Sequence, residues 1–436
     1  MPPRMSGLFL VALLLPAQCL HAAVIGTNTP SQPLTLQRIE ALPKSEQAVW
    51  KDYLERSKKQ SRADREFFWR EMKDHGVTET SSPPEVRGTR GITLGRSEDW
   101  YGSTDALRIA EIVVSFQTPA GGWSKNLDMT QRRRAPGERF AQGNLSRYSN
   151  STDLDLPDDP NWNYVGTFDN GATTTQLRFL AKIVSAAGGE KGDVFRKAFL
   201  HGLDYIFQSQ YPNGGWPQVW PLQGGYHDAV TFNDSAMTAT LDLLVDVAEG
   251  RDEFAFVSQN VRDQAAASLR RGLNCVLATQ VIVGGKRTVW SQQYDAITLR
   301  PTSARNYEMP SLSSGESAGV MLFLMRLPSP DSNVVGAVRA AAEWCKRTEI
   351  RDKAYRRTAD DGFRIISAPG SGPLWARYYE PGSDRPIFGD RDKTIHDTLD
   401  EISRERRDGY AWYTDAPGTA LKRFVRWNEI NRNPAP

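Results

Sequence analysis

Hydrophobic residues recur at helical spacing in several separate segments of this 436-residue chain. Leu177, Leu180, Ala181 and Val184 fall at positions i, i+3, i+4 and i+7, a pattern typical of a helix with one buried face. The same spacing predicts helices in these segments: Ala41–Met72, Ser103–Phe116, Ala172–Ala187, Gly192–Gln208, Asp234–Glu249, Val261–Thr279 and Ser317–Leu327.

A motif of the form Q-x-x-x-G-G-W occurs twice, beginning at Gln117 and at Gln210. Each copy is followed by a second shared element, Thr167–Asn170 (TFDN) after the first and Thr231–Asp234 (TFND) after the second. A degraded third copy begins at Gln280. A repeated pair of unlike motifs indicates a duplicated supersecondary unit. We therefore predict a mainly α fold, an (α/α)3 toroid of paired helices with long loops and a few short strands.

The chain divides into three parts by composition. Residues 1–23 have a charged start, a short apolar run and small residues at the end, which predicts a signal peptide and a secreted or periplasmic protein. Residues 24–95 are polar and predict an N-terminal helical arm, and residues 96–436 predict one large domain. Cys19, near the end of the leader, allows the alternative of a lipid-anchored protein. Cys275 and Cys345 allow one disulfide bond in an exported protein.

The charge and composition of the chain give no indication of a nucleic-acid or membrane partner. The chain has 54 basic and 52 acidic side chains, with a net charge of +2, which gives no overall attraction to nucleic acid or to a membrane surface. No stretch after the leader is apolar enough to span a bilayer. We expect the protein to be a monomer. Its 43 aromatic side chains (12 Trp, 14 Tyr and 17 Phe) are enough to fill a core and to line a binding cleft.

The shared elements hold the first candidate site. Asp169-Asn170 and Asn233-Asp234 offer carboxylate and amide oxygens, which suit a hard cation such as Ca²⁺. The five histidines are scattered and have no spacing typical of a zinc site. The alternative is that these four residues only cap the helices that follow them.

A second candidate site lies in the segment Arg300–Ser311, which contains two arginines, a tyrosine and a glutamate between prolines. Guanidinium groups in such a loop suit bidentate binding of carboxylates, although a structural Arg–Glu pair would produce the same pattern. Lys125, after the first Gly-Gly-Trp, and Arg391, in a turn-rich segment, add further cations. Together these residues predict an anionic ligand held among aromatic side chains.

Six motifs in this order resemble pectate lyases of polysaccharide lyase family ten, from about residue 95 to about residue 415. They are GGWSKN (121–126), TFDNGATTTQL (167–177), QYPNGGWPQVWP (210–221), TFNDSAM (231–237), RPTSARNYEMPSLSSGES (300–317) and FGDRD (388–392). One departure is Lys393, where the family pattern leads us to expect glycine.

The resemblance implies a catalytic toroid whose cleft binds polygalacturonate with Ca²⁺ and cleaves it by β-elimination to 4,5-unsaturated oligogalacturonates. Arg305 corresponds to the base that abstracts the C5 proton. Asp169, Asn170 and Asp234 correspond to the calcium ligands. Lys125, Arg300, Tyr307 and Arg391 correspond to residues that bind the substrate.

This chemistry has a physical requirement. Removing a proton next to a carboxylate creates a second negative charge, which a cation bound to that carboxylate stabilises. An arginine base must first lose its own proton, which is held with a pKa above about 12. An alkaline pH optimum is therefore expected.

Two other classes of function remain as alternatives. Toroidal terpenoid cyclases also contain Q-x-x-x-G-x-W repeats, but they require a D-x-D-D acid motif, which this sequence lacks. A polyuronate-binding protein without activity would keep the aromatic residues and the cations but would have no use for Arg305.

Overall fold

The computed structural model describes residues 24–86, 92–144, 149, 152–154, 156, 157, 159–359 and 361–432. The predicted signal peptide, including Cys19, lies outside the described residues. The helices in the described part are α1 (Leu36–Glu40), α2 (Lys44–Asp74), α3 (Glu98–Tyr101), α4 (Thr104–Ser115), α5 (Thr174–Ala187), α6 (Gly189–Ser209), α7 (Ala236–Glu249), α8 (Gln259–Thr279), α9 (Ser314–Leu324), α10 (Ser332–Arg347), α11 (Arg404–Gly409) and α12 (Ala416–Ile430).

Short antiparallel strands join the segments between the helices. They are β1 (Gly26–Thr27), β2 (Val230–Thr231), β3 (Ile282–Val283), β4 (Lys286–Arg287), β5 (Gln293–Tyr294), β6 (Leu312–Ser313), β7 (Lys353–Thr358), β8 (Gly362–Ser367), β9 (Trp375–Ala376), β10 (Tyr378–Tyr379), β11 (Phe388–Gly389), β12 (Thr394–His396) and β13 (Tyr413–Thr414). One sheet has three strands in the order β1-β12-β11, and the others are the pairs β2-β5, β3-β4, β6-β10, β7-β8 and β9-β13.

The prediction of a mainly α (α/α)3 toroid is wrong. Helices account for about 48% of the described residues, and the other described residues form loops and small sheets. The two most extensive contacts between consecutive helices are those of α5 with α6 and α7 with α8, whereas α9 packs mainly on α12, which follows much later in the chain. Hydrophobic periodicity identifies a helix and its buried face, but it does not determine which helix covers that face.

The repeated motif is a turn fixed between two helices. In all three copies the glutamine Nε2 donates to two backbone carbonyls, one in its own motif and one in a later helix: Gln117 to Gly121 and Ala198, Gln210 to Gly214 and Ser268, and Gln280 to Thr288 and Ala337. The indole nitrogen of each tryptophan donates back to the preceding helix: Trp123 to Val113, Trp216 to Ile206 and Trp290 to Val276. These equivalent bonds confirm the degraded third copy.

Glycine is required where the turn meets the helix. Gly121 and Gly214 have φ angles of 103° and 92°, which other residues rarely adopt. A Cβ at Gly121 would lie 2.4 Å from the His201 carbonyl, and one at Gly214 would lie 2.1 Å from the Arg271 carbonyl. The motif is therefore structural, and it sets the position of the segments that follow it.

Helix α2 of the N-terminal arm packs on the same core as the rest of the chain. Its Trp50 and Tyr53 are buried, and the ring of Trp50 lies 5.5 Å from that of Tyr211. The Tyr53 hydroxyl donates to the Ser209 carbonyl at 2.8 Å, at the end of α6. The arm is thus tied to the second copy of the repeated motif.

Candidate active site

Two equivalent turns precede α5 and α7. Asn170 (φ 53°) and Asp234 (φ 46°) both adopt the left-handed backbone conformation, which is uncommon for residues other than glycine. The N-cap residues of α5 and α7 are Thr173 and Ser235, so the acid and amide residues of the two turns do not occupy the capping positions. The alternative that their side chains only cap helices is therefore wrong. Strained backbone of this kind is often found at functional sites.

Backbone hydrogen bonds place the two turns side by side. The Phe168 amide donates to the Gln218 carbonyl at 3.1 Å, and the Phe232 amide donates to the Gln292 carbonyl at 2.9 Å. Each acceptor lies just after the tryptophan of the next copy of the motif. As a result, Asp169 and Asp234 lie next to each other in one cleft, and burial together with the charge of Asp169 raises the pKa of Asp234.

Lys125 neutralises one of these two carboxylates. Its Nζ lies 2.5 Å from Asp169 Oδ2 and 3.5 Å from the centre of the Tyr164 ring. Burial alone would raise the pKa of the Asp169 carboxyl, but the Lys125 ammonium outweighs burial and the pKa lies below its ordinary value. Burial would likewise lower the pKa of Lys125, but Asp169 keeps that pKa raised. The pair is therefore charged.

Among the described residues no cation forms an ion pair with Asp234, and the charge of Arg377 only partly offsets the rise in its pKa. Loss of surrounding water, followed by the nearby Asp169 carboxylate, raises the pKa of Asp234 to about 7. Asn233 Nδ2 donates to Asp234 Oδ2 at 3.1 Å, and Arg377 donates to Asn233 Oδ1 at 3.1 Å and to Glu316 at 2.8 Å. Two adjacent carboxylates with one ammonium leave room for additional positive charge at this point.

Arg305 lines the same cleft as this pair and is held by Glu308. Its Nε donates to Glu308 Oε2 at 2.8 Å, and its terminal nitrogen donates to the other oxygen. The Tyr410 hydroxyl also donates to Glu308, at 2.7 Å. Burial would raise the pKa of Glu308, but the Arg305 guanidinium outweighs it and lowers the pKa to about 2. Burial would lower the pKa of Arg305, but Glu308 raises it above its ordinary value.

The other predicted substrate-binding residues lie at different distances from the cleft. Tyr307 is buried beneath three guanidinium groups, with those of Arg305, Arg391 and Arg406 at 5.0, 5.8 and 4.3 Å from its ring centre. Arg391 forms a bidentate pair with Glu405, at 3.0 and 3.2 Å. Arg300 is exposed and does not line the cleft described next.

The central cleft has a volume of about 160 Å³ and is lined mainly by polar groups. Its lining residues are Lys125, Tyr164, Asp169, Asn170, Gln218, Tyr226, Asn233, Asp234, Gln292, Gln293, Ala304, Arg305 and Glu308. In the described part of the chain, no group of three or more His, Cys, Asp or Glu side chains is placed to hold a metal ion by itself. A cation in the cleft would therefore rely on two carboxylates and the neighbouring amide oxygens.

Sequence reasoning missed two residues next to this cleft. The segment Arg300–Ser311 did indicate an Arg–Glu pair, the alternative that the sequence left open, and the structure forms it between Arg305 and Glu308. Arg377 and Tyr410 gave no such signal, because they come from distant segments that meet only in the folded protein. The Arg377 guanidinium lies 4.7 Å from the centre of the Tyr410 ring.

Two further sequence predictions concern the chain as a whole. None of the helices in the described residues combines the length and the apolar character needed to cross a bilayer. Cys275 and Cys345 are both buried free thiols, so the disulfide that the sequence left open does not form between them.

Comparison with solved structures identifies related proteins. The chain is similar to a family 10 polysaccharide lyase from Cellvibrio cellulosa, with 30% identity and a TM-score of 0.64 over 79% of this chain and 99% of that one. A mutant of that lyase in complex with trigalacturonic acid matches with the same identity and TM-score, over 77% of this chain and 97% of that one. A search of curated proteins found no match.

The sequence model of one protein family covers more than half of the chain. Residues 117–421 match the family described as pectic acid lyase, a span that includes the repeated motifs and every residue of the cleft. This match and the solved neighbours support polysaccharide lyase activity and give no support to a terpenoid cyclase. The chain belongs to the pectic acid lyase family.

Proposed function

We propose that this protein is a pectate lyase that cleaves polygalacturonate by calcium-assisted β-elimination, with Arg305 as the base and 4,5-unsaturated oligogalacturonates as products. The observation that carries the proposal is the pairing of two carboxylates, Asp169 and Asp234, opposite Arg305 in one polar cleft. The complex of the related lyase with trigalacturonic acid supports a polyuronate as substrate.

The donor set of the cleft fits Ca²⁺. Asp169, Asn170 and Asp234 supply the hard oxygen ligands that this ion prefers, and the raised pKa of Asp234 indicates a position that lacks positive charge. Calcium takes about six to eight oxygen ligands, more than these side chains provide. Substrate carboxylates and water would complete the shell, so binding of calcium and of substrate should strengthen each other. When bound, the ion would stabilise negative charge on the substrate carboxylate.

Arg305 removes the C5 proton in this proposal. The electrons of the C5–H bond form the C4=C5 double bond, the C4–O bond breaks, and the leaving oxygen takes up a proton. Lys125 lies in the same cleft and adds positive charge where the carboxylate becomes a dianion. In this proposal Arg391, and Arg377 beside Asn233, would bind neighbouring carboxylates of the polymer in exchange for their present partners, Glu405 and Glu316.

Glu308 has two opposing effects on Arg305 as a base: it positions the guanidinium, and it makes the guanidinium harder to deprotonate. It fixes the guanidinium of Arg305 by a bidentate contact, which positions the base. The same contact raises the pKa of Arg305, so the neutral form is scarce near neutral pH. The rate should therefore rise steeply towards alkaline pH.

The proposal is tested by incubating the purified protein with polygalacturonate in calcium or in EDTA. We expect ultraviolet absorbance from the conjugated double bond of the product in calcium and its loss in EDTA. Release of reducing ends without this absorbance would indicate a hydrolase. Binding of polygalacturonate without cleavage would support the alternative of a non-catalytic polyuronate-binding protein.

We also propose that the protein acts outside the cytoplasm, as a secreted or periplasmic enzyme. The sequence of residues 1–23 and the polymeric substrate support this location. Fractionation of cells that express the full chain, with N-terminal sequencing of the mature protein, would test it. A mature protein that retains residues 1–23 in the cytoplasm would contradict it.

A further inference from the structure

Residues 24–34, which we call the N-terminal strap, contact the segment that carries Arg305. Strand β1 of the strap pairs with β12, so that Gly26 lies opposite Ile395 and Thr27 opposite Thr394. The Asn28 amide then donates to the Lys393 carbonyl at 2.7 Å. Because β12 is joined to β11 by the turn that holds Arg391, the strap borders that turn as well as the Arg305 segment, which lines the cleft. The family match begins at residue 117, so the strap lies outside it.

The Asn28 side chain links the strap directly to the turn that carries Arg305. It is 3% exposed, and its Nδ2 lies 3.0, 2.9 and 3.3 Å from the carbonyl oxygens of Arg305, Asn306 and Glu308. The opposite orientation of the amide would place its oxygen against three carbonyls, which is repulsive. The donor group of Asn28 is therefore directed at this one turn.

The turn depends on few bonds of its own. The Glu308 amide donates to the Arg305 carbonyl at 2.9 Å, and the Ala304 amide donates to the Glu308 carbonyl at 2.9 Å. The carbonyls of Arg305 and Glu308 thus accept from the turn and also from Asn28. These are the residues whose side chains form the ion pair that faces the cleft. Asn28 fixes the backbone from which both side chains extend.

Asn306 carries the connection further. Its Nδ2 donates to Asp153 Oδ1 at 3.0 Å and to the Arg391 carbonyl, and its Oδ1 accepts from the Leu154 amide at 2.8 Å. The strap adds one more contact here, because Ser303 Oγ donates to the Thr29 carbonyl. One buried polar network therefore joins the strap, the Arg305 turn and the Arg391 turn.

We propose that Asn28 is a positioning residue that sets the orientation of Arg305 through the backbone of its turn. This inference rests on the proposed role of Arg305 as the base. Since a misplacement of about 1 Å can reduce a rate about 100-fold, loss of the Asn28 donors should lower kcat about 10- to 100-fold. Asn28 does not line the cleft, so KM should change much less than kcat.

Gln280→Ala supplies a matched control. Gln280 is also a buried amide that donates to two backbone carbonyls, at 3.0 and 2.9 Å. In both Asn28 and Gln280 the side-chain oxygen has no hydrogen-bond partner among the described residues. Gln280, however, contacts the third copy of the repeated motif rather than the Arg305 turn. Its loss should lower the melting temperature while leaving kcat near that of the wild type.

The test uses the chain from residue 24 onward, with Asn28→Ala, Asn28→Asp and Gln280→Ala. Asn28→Asp keeps the shape of the side chain but replaces its donors with a charged acceptor, so it should be at least as harmful as Asn28→Ala. For each variant we would measure kcat, KM and melting temperature, and the hydrogen–deuterium exchange of amides 303–309. We expect reduced kcat and faster exchange of the Glu308 amide in both Asn28 variants but not in Gln280→Ala.

Two outcomes would overturn the inference. One is a kcat for the Asn28 variants equal to that of Gln280→Ala at a similar loss of stability. The other is unchanged exchange across residues 303–309 in a folded Asn28 variant. The exchange measurement needs no substrate, so it decides the role of Asn28 even if the wild-type protein fails to cleave polygalacturonate. That last failure would refute the proposed function instead.

Discussion

Replacing Glu308 with glutamine separates its two effects on Arg305. The variant keeps a side chain of the same size that can still accept a hydrogen bond, but it removes the negative charge. Glu308 is buried, and the ion pair lowers its pKa from 4.5 to about 2. At about 1.4 kcal/mol per pKa unit, the pair favours the charged forms by about 3 kcal/mol.

The same free energy favours the protonated form of Arg305, because coupling between two sites is reciprocal. Its side chain is 32% exposed, so solvent screens part of the effect. We expect Glu308→Gln to lower the pKa of Arg305 toward its ordinary value, because Glu308 is the charge that raises it. The alkaline rise in kcat should therefore move to lower pH, while kcat at its plateau falls because the guanidinium is held less firmly.

The assay is the initial rate of product absorbance against pH, with calcium and polygalacturonate at saturation. Glu138→Gln is the matched control, since Glu138 is also buried and forms a bidentate pair with Arg132, away from the cleft. Its profile should match that of the wild type. If Glu308→Gln only scales the wild-type profile without moving it, the pH dependence does not report the proton of Arg305 and the reasoning is refuted.

Three further predictions concern stability. Asp234 has a raised pKa, so its protonated form contributes stability that is fully present below the unfolded pKa of about 4 and is lost as the pH rises through about 7. Without calcium, Asp234→Asn should therefore have a higher melting temperature than the wild type at about pH 9 but not at about pH 5. The pKa shift corresponds to at most about 4 kcal/mol of unfolding free energy, and we expect about 1 to 2 kcal/mol because Asp234 is exposed to the cleft. An equal increase in melting temperature at both pH values would contradict the raised pKa of Asp234. Lys393 has φ 73°, so Lys393→Gly should raise the free energy of unfolding by up to about 1 kcal/mol in urea titrations, whereas a gain from Lys393→Ala would rule out backbone strain. Because Cys275 and Cys345 are free thiols, dithiothreitol should leave the melting temperature unchanged, and a lower melting temperature in its presence would reveal a disulfide.

The sequence predicted individual helices well where the hydrophobic stripe was long. The segments predicted at Ser103–Phe116 and Ala172–Ala187 correspond to α4 and α5, and the stripe of α5 is buried as expected. Helices α10 and α12 were missed, although α10 begins after Asp331, whose side chain caps the Val334 amide at 2.8 Å. Such a cap was a usable signal.

The way in which the helices and loops pack together could not be predicted from hydrophobic periodicity. Short strands of two residues have no measurable alternation, and side-chain bonds such as those of Asn28 join segments far apart in sequence. For the candidate site, sequence motifs marked Asp169, Asp234 and Arg305, and the structure brings these three residues to one cleft. Arg377 and Glu405 reach their partners only through tertiary contacts, and no motif indicated them.

The backbone of Lys393 has the left-handed conformation, at a position where the family pattern led us to expect glycine. Glycine was expected at this position, and the backbone there keeps the conformation that glycine favours. The Lys393 carbonyl accepts from the Asn28 amide, which helps to hold the turn. The segment around Arg391 is therefore ordered despite the substitution.

The central claim, that Arg305 removes the C5 proton, is tested most directly by comparing Arg305→Ala with Arg300→Ala under saturating calcium. Arg300 is an arginine of the same segment that is exposed and does not line the cleft. We predict that Arg305→Ala lowers kcat by at least about 1,000-fold, with little change in the affinity for trigalacturonic acid. Arg300→Ala should keep kcat and at most raise KM. Retention of kcat in a folded Arg305→Ala protein, or its loss in Arg300→Ala, would contradict the account.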